Sequence, residues 1–262
     1  MAKVIPLFSS SSGNSYFIKG NDKAILIDAG RSCKQIENAL RSNNETMNDV
    51  VAIFVTHEHV DHCLGLRVLA NRYDIPVYST KGTYEALYEY EKVDNKTKMN
   101  IIEQKVEISD FVVERIMTSH DSRESCGFFV TTPDKRKLSL VTDTGYILED
   151  ARNKAKQSNL LIIESNHDIK MLEEGPYPYV LKRRIKAMDG HLSNEDCAKE
   201  LPLFVENGVN RIILAHLSKE NNRPEKALKT SIEKLNEAGY IKDIDYTIDV
   251  APIETNGKAV TF

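Results

Sequence analysis

One repeated feature limits what this chain can fold into: short apolar or β-rich runs that end directly on a histidine or an acidic side chain. Val51 to Val55 leads into Thr56-His57-Glu58-His59-Val60-Asp61-His62, and Ile108 to Met117 into Thr118-Ser119-His120. Leu138 to Val141 ends at Thr142-Asp143, Leu160 to Ile163 at Glu164, and Arg211 to Leu214 at Ala215-His216. Val51 to Val55 is apolar throughout, as expected of a strand covered on both faces. Five such strand ends can line one edge of a packed scaffold and hold polar chemistry there.

Amphipathic helical stretches separate these runs. Ser32 with Gln35 three residues on forms a capping box that opens a helix to about Ser42. Further helical patterns cover Leu64 to Asn71 and Thr83 to Glu91. This interleaving predicts a mixed α/β architecture. With 262 residues and 41% hydrophobic content the chain buries a sizeable core without a staple.

Composition removes some functions. The net charge of −4 gives no global basic field, so any hold on nucleic acid must come from local patches and metal ions. Cys33, Cys63, Cys126 and Cys197 have no C-x-x-C spacing, which reads as free buried thiols and not as a zinc knuckle or redox pair. Met1 to Asn14 has too broken an apolar run for a signal peptide, and no span has bilayer length, so a cytoplasmic protein without membrane contact is expected.

His57, His59, Asp61 and His62 place four ligand-type side chains within six residues. Borderline cations such as zinc and manganese accept imidazole nitrogen together with carboxylate oxygen. A tight turn after a strand can aim the first pair at one point and the last pair at a second.

The H-x-H-x-D-H run resembles the signature of the metallo-β-lactamase superfamily, and His120, Asp143 and His216 continue the match in order and approximate spacing. The resemblance implies an α/β (α+β) fold, a four-layer αββα sandwich. Residues 1–262 would form one domain of two similar halves, about 1–125 and 126–262. It also implies two divalent metal ions, Zn²⁺ or Mn²⁺ with Fe also suited, used to activate water. His57, His59 and His120 are assigned to one ion, Asp61, His62 and His216 to the other, and Asp143 to the bridge. His59 stands where the redox branch carries Glu, and Asp143 is absent from the commonest zinc β-lactamases, so both branches fit poorly.

Ile163-Glu164-Ser165-Asn166-His167-Asp168, Gly190-His191-Leu192-Ser193-Asn194 and the Ser9 to Asn14 opening make the chain similar to the YycJ (WalJ) group of bacterial metallo-hydrolases. That resemblance implies a 5′-to-3′ exonuclease acting on DNA as its nucleic-acid partner. There is no long insertion of the β-CASP kind and no extended arm. On this reading Asp61 orients the nucleophile or takes its proton. His191 contacts phosphate or protonates the leaving oxygen, with Glu164 holding its tautomer. Ser193 is read as a helix N-cap whose free N–H groups bind phosphate. Ser10, Ser11 and Asn14 are candidates for a terminal phosphate, and His167 for a substrate-facing position. Lys182, Arg183, Arg184 and Lys186 read as a solvated helix face. Two other functions fit the same ligands: a small-molecule metallo-hydrolase acting on a thioester, lactone or cyclic nucleotide, and a metal-bound regulatory module without turnover.

Overall fold

The computed structural model describes residues 1–262 as two seven-stranded sheets packed face to face with helices outside. The first sheet holds β1 (Lys3–Phe8), β2 (Ser15–Gly20), β3 (Lys23–Ile27), β4 (Val50–Phe54), β5 (Val77–Ser79) and β6 (Met99–Ile101). The second holds β7 (Lys105–Ile108), β8 (Phe111–Met117), β9 (Cys126–Thr131), β10 (Lys137–Val141), β11 (Leu160–Glu164), β12 (Arg211–Ala215) and β13 (Thr247–Val250). The last strand, β14 (Val260–Thr261), returns to pair with β1. The passage between sheets lies between Ile101 and Lys105, ahead of the division placed near residue 125.

Side-chain alternation explains the layers. On β3, Ala24 and Leu26 face the outer helices while Ile25 and Ile27 face the opposite sheet. On β11, Leu160 and Ile162 enter the inter-sheet core and Leu161 and Ile163 turn outward. Each central strand therefore needs apolar residues at every position. Helices α1 (Cys33–Ser42), α2 (Val60–Cys63), α3 (Leu66–Tyr73) and α4 (Lys81–Glu89) follow strands of the first sheet, and residues of all four enter its outer cluster or line its edge. After β10 come α5 (Glu149–Ala155), α6 (Ile169–Glu174), α7 (Tyr179–Ile185), α8 (Asn194–Glu206) and α9 (Pro224–Glu237); α5, α8 and α9 cover the second sheet. The expected capping box is present, with Ser32 accepting from the Gln35 N–H. No helix is long and apolar enough to cross a membrane.

The stretch from Ile108 to Met117 is not one run. Ser109 and Asp110, with φ of 47° and 69°, close a two-residue turn between β7 and β8, where Ile108 pairs with Phe111. Left-handed backbone at both positions is the geometry of such hairpins, usually signalled by glycine or asparagine.

Strand direction gathers the polar ends. β8 and β10 each run antiparallel to β9, and β10, β11 and β12 run parallel, so all four end at the same edge. β3 and β4 are parallel in the other sheet. The Cys126 N–H donates to the Thr56 carbonyl at 3.0 Å and ties the two sheets together at that edge. Ligands of open parallel sheets bind beyond such carboxyl ends.

Candidate metal centre

β4 delivers the chain to His57, and α2 starts three residues later with His59 as its N-cap. His59 thus lies on extended backbone, while Asp61 and His62 lie in a helical turn, with the His62 donor still within 4.8 Å of those of His57 and Asp143. Backbone bonds clamp this segment: Asn14 N–H donates to Asp61 O at 2.8 Å, Ala29 N–H to His62 O at 2.8 Å, and Gly30 N–H to Asn14 O at 2.9 Å. Gly30 is required by the close approach, since a Cβ there would lie 1.7 Å from the Asp61 carbonyl oxygen.

All the metal-ligand candidates meet at the sheet edge. Donor atoms of His57, His59 and His120 lie within 4.8 Å of one another, as do those of Asp61, His62 and His216. The Asp143 carboxylate stands between the groups, with Oδ2 3.4 Å from His62 Nε2 and Oδ1 3.8 Å from His120 Nε2. Asp143 and His216 follow strand ends with φ of 55° and 56°. Left-handed backbone costs of order 1 kcal/mol or more at a non-glycine residue. Here it swings each side chain back over the edge.

Outer partners fix the ring orientations. Asp28, absent from the residues expected from sequence, places Oδ2 2.8 Å from His62 Nδ1 and accepts from the Thr56 N–H at 2.8 Å and from its hydroxyl. Its signal was present, because β3 also ends on an acidic residue. His120 Nδ1 lies 3.1 Å from the Gly190 carbonyl. Glu164 Oε1 lies 2.8 Å from His191 Nδ1 and 2.9 Å from His216 Nδ1, so it holds two imidazoles where one was expected.

Charge divides the site. Burial, reinforced by the neighbouring imidazoles of His62 and His120, pushes His57 well below the ordinary histidine range. Burial also lowers His120, against the pull of Asp143. At His216 burial is overcome by Asp143, Asp61 and Glu164, which push it up to about 10. At His62 it is overcome by Asp143, Asp61 and Asp28, which hold it well above its usual value. Buried negative charge is thus balanced by protons on imidazoles, and divalent cations can take the place of those protons. Two of these donors, Asp143 Oδ2 and His216 Nε2, are among the twelve buried side-chain atoms without a hydrogen-bond partner. That is the mark expected of ligand atoms, and the cluster fits divalent metal binding.

The expected substrate residues are distributed differently. Only Ser11 is exposed. Ser10 is buried with its hydroxyl 2.9 Å from that of Ser12. Asn14 is buried beneath the ligand loop, its amide nitrogen 3.0 Å from His62 Nε2 and 3.3 Å from Asp61 Oδ2, so it braces ligands and does not face substrate. Ser193 caps α8 as expected, accepting from the Asp196 N–H at 3.0 Å and donating to Asp196 Oδ2 at 2.8 Å, so its hydroxyl is spent. His167 pairs in a bridge with Ser193 and is 2% exposed, and burial pulls its pKa to about 4; it is not substrate-facing. The basic run forms α7, but Arg184 pairs with Asp121 and Lys186 with Glu173. All four cysteines are free and buried.

A family model described as the β-lactamase superfamily domain matches residues 23–217. The chain belongs to this superfamily. It is 38% identical over 237 residues to exodeoxyribonuclease YycJ of Bacillus anthracis, covering 89% of each chain. It is 36% identical over 251 residues to exodeoxyribonuclease WalJ of Streptococcus pneumoniae, covering 94% of this chain and 93% of the other. Its fold is similar to that of the metallo-β-lactamase fold protein YhfI from Bacillus subtilis, with a TM-score of 0.72 and 16% identity over 99% of this chain and 98% of that one. The two-sheet sandwich is the metallo-β-lactamase fold, and this superfamily member is a metal-dependent hydrolase.

Proposed function

We propose that this chain is a dinuclear metallo-phosphodiesterase that degrades nucleic acid, acting as a 5′-to-3′ exonuclease on DNA, with both sheets forming one catalytic domain. One observation carries the reading: seven imidazole and carboxylate donors from distant strand ends gather in two groups with Asp143 between them. The printed names of the two relatives supply the substrate class.

His57, His59 and His120 would hold one ion, Asp61, His62 and His216 the other, and Asp143 both. Zinc and manganese suit this donor set, as does iron. When bound, a pair of divalent ions polarises the phosphoryl oxygen and makes water a competent nucleophile near neutral pH.

The chain's own groups do the rest. The Asp61 side chain is 24% exposed against 3% for Asp143, so it is the acidic ligand that can reach solvent and take the nucleophile's proton. His191 has Nδ1 fixed by Glu164 and its side chain 16% exposed, which leaves Nε2 to meet phosphate or protonate the leaving oxygen.

The test is metal analysis of chelator-treated and reconstituted protein, paired with digestion of 5′- and 3′-labelled DNA and RNA. About two ions per chain and mononucleotides released from the 5′ end of DNA are expected. Asp143→Ala should lose metal and hydrolysis while keeping native circular dichroism. Full activity in that variant overturns the reading.

A further inference from the structure

We infer that Ser12, Arg31 and Lys219, with the buried Ser10 bracing Ser12 from behind, form a seat for the terminal 5′-phosphate of the substrate strand. This rests on the nucleic-acid reading above and adds what the enzyme recognises at the strand's end.

The seat is built by the loops that carry the metal-centre residues. The serine loop precedes Asn14, Arg31 directly follows Gly30, and Lys219 lies three residues after His216. Arg31 Nη2 donates to Ser12 Oγ at 3.0 Å, Lys219 Nζ donates to the same oxygen at 2.7 Å, and Ser10 Oγ lies 2.9 Å from it. Two cations thus converge on one neutral hydroxyl. Neither has a carboxylate within ion-pair distance, whereas Arg115, Arg123, Arg152 and Arg184 are each paired with one. Arg31 Nε is buried with no acceptor.

The position of Arg31 is not that of a loose surface residue. Its guanidinium lies 5.5 Å from the centre of the Phe8 ring, and its side chain crosses Gly13 so closely that a Cβ there would meet Nε at 2.5 Å. Packing fixes a cation whose donors lack anionic partners. Phosphate is the ligand that relieves this arrangement, because its oxygens accept charge-assisted bonds from guanidinium and ammonium together. A terminal phosphate carries more charge than an internal linkage and gains more from two cations.

The seat is coupled to the centre through few atoms. The Asn14 amide donates to Ser10 O at 3.0 Å and to Asp61 Oδ2 at 3.3 Å. A strand end held at Ser12 is thereby set in register with Asp61, which accounts for cleavage counted from the 5′ terminus.

The experiment titrates metal-loaded protein with internally labelled, phosphorothioate-linked DNA ending in a 5′-phosphate, a 5′-hydroxyl, or a 5′-hydroxyl with a 3′-phosphate, read by fluorescence anisotropy. The 5′-phosphate strand should bind about tenfold more tightly than the other two. Lys219→Gln, at an exposed position, should bring the 5′-phosphate strand down to the affinity of the 5′-hydroxyl strand, and Lys219→Arg should keep the preference. Equal binding of all three strands, an equal gain from a 3′-phosphate, or a preference that survives Lys219→Gln overturns the seat. Parallel digestions of the same strands with ordinary phosphodiester linkages separate the two readings: cleavage of no strand defeats the nuclease, and cleavage indifferent to the 5′ group defeats only the seat.

Discussion

Asp28 Oδ2 lies 2.8 Å from His62 Nδ1, and both side chains are fully buried. The carboxylate keeps a proton on Nδ1 and so presents Nε2 toward Asp61 and Asp143, 3.4 Å from each. Partners of this kind orient an imidazole ligand, and their loss costs roughly 10–100-fold in metal affinity. Asp28→Asn should therefore weaken one ion more than the other in a chelator competition, with excess metal restoring part of the hydrolysis. Unchanged affinities for both ions would remove Asp28 from the site's function.

His191 and His216 share one carboxylate oxygen of Glu164, yet only His216 is also close to Asp61, at 3.6 Å. The two substitutions should therefore separate. His191→Ala should leave metal content near normal and lower kcat by about 10²–10⁴-fold, the range of general acid–base catalysis. Glu164→Gln disturbs both rings and should lower metal affinity as well as kcat. If His191→Ala strips the metal, His191 is a ligand and its assigned role fails.

The strand ends were legible because a strand buried on both faces must be apolar at every position, and its polar terminus then stands out. This rendered His57, His120, Asp143, Glu164 and His216 readable. Asp28 carried the same signal at the end of β3. Its partner, however, depends on the pairing of Ile27 with Phe54, a long-range relation that local pattern does not encode. Asn14 looked like part of a polar surface loop, and only the approach of Gly30 and Asp61 buries it. The pairing of Arg184 on α7 was hidden for a similar reason, since Asp121 is far from it in sequence. The Ser109-Asp110 turn escaped notice because neither residue is the glycine or asparagine that usually marks it.

Gly30 has no room for a side chain. A Cβ would lie 1.7 Å from Asp61 O and 2.5 Å from Asn14 N, and both are backbone atoms that cannot rotate away. Gly30→Ala should destabilise the fold by about 1–3 kcal/mol, the usual cost of overpacking. It should also push the Asp61 segment outward and lower metal content. Thermal unfolding and metal analysis of the same preparation check both effects; a native Tm with full metal content would show that the loops separate freely.

Asp168 caps α6, accepting from the Met171 N–H at 2.7 Å, and pairs with Lys226 at 3.1 Å. Burial alone would raise its pKa, but the Met171 N–H and the Lys226 ammonium outweigh it and hold the carboxyl below the ordinary range. The unfolded chain, with a value near ~3.9, then binds the proton more readily than the folded one. The stabilisation is therefore complete above that value and is lost as pH falls through the lower folded value. Asp168→Asn keeps a capping oxygen and removes the charge. Because the Lys226 side chain is 47% exposed, the loss at pH 7 should be under about 1 kcal/mol and should shrink in high salt. Denaturant titrations from pH 7 to pH 3 should show wild type and variant converging on acidification, and a gap that widens instead would mean that the charge does not stabilise this helix start.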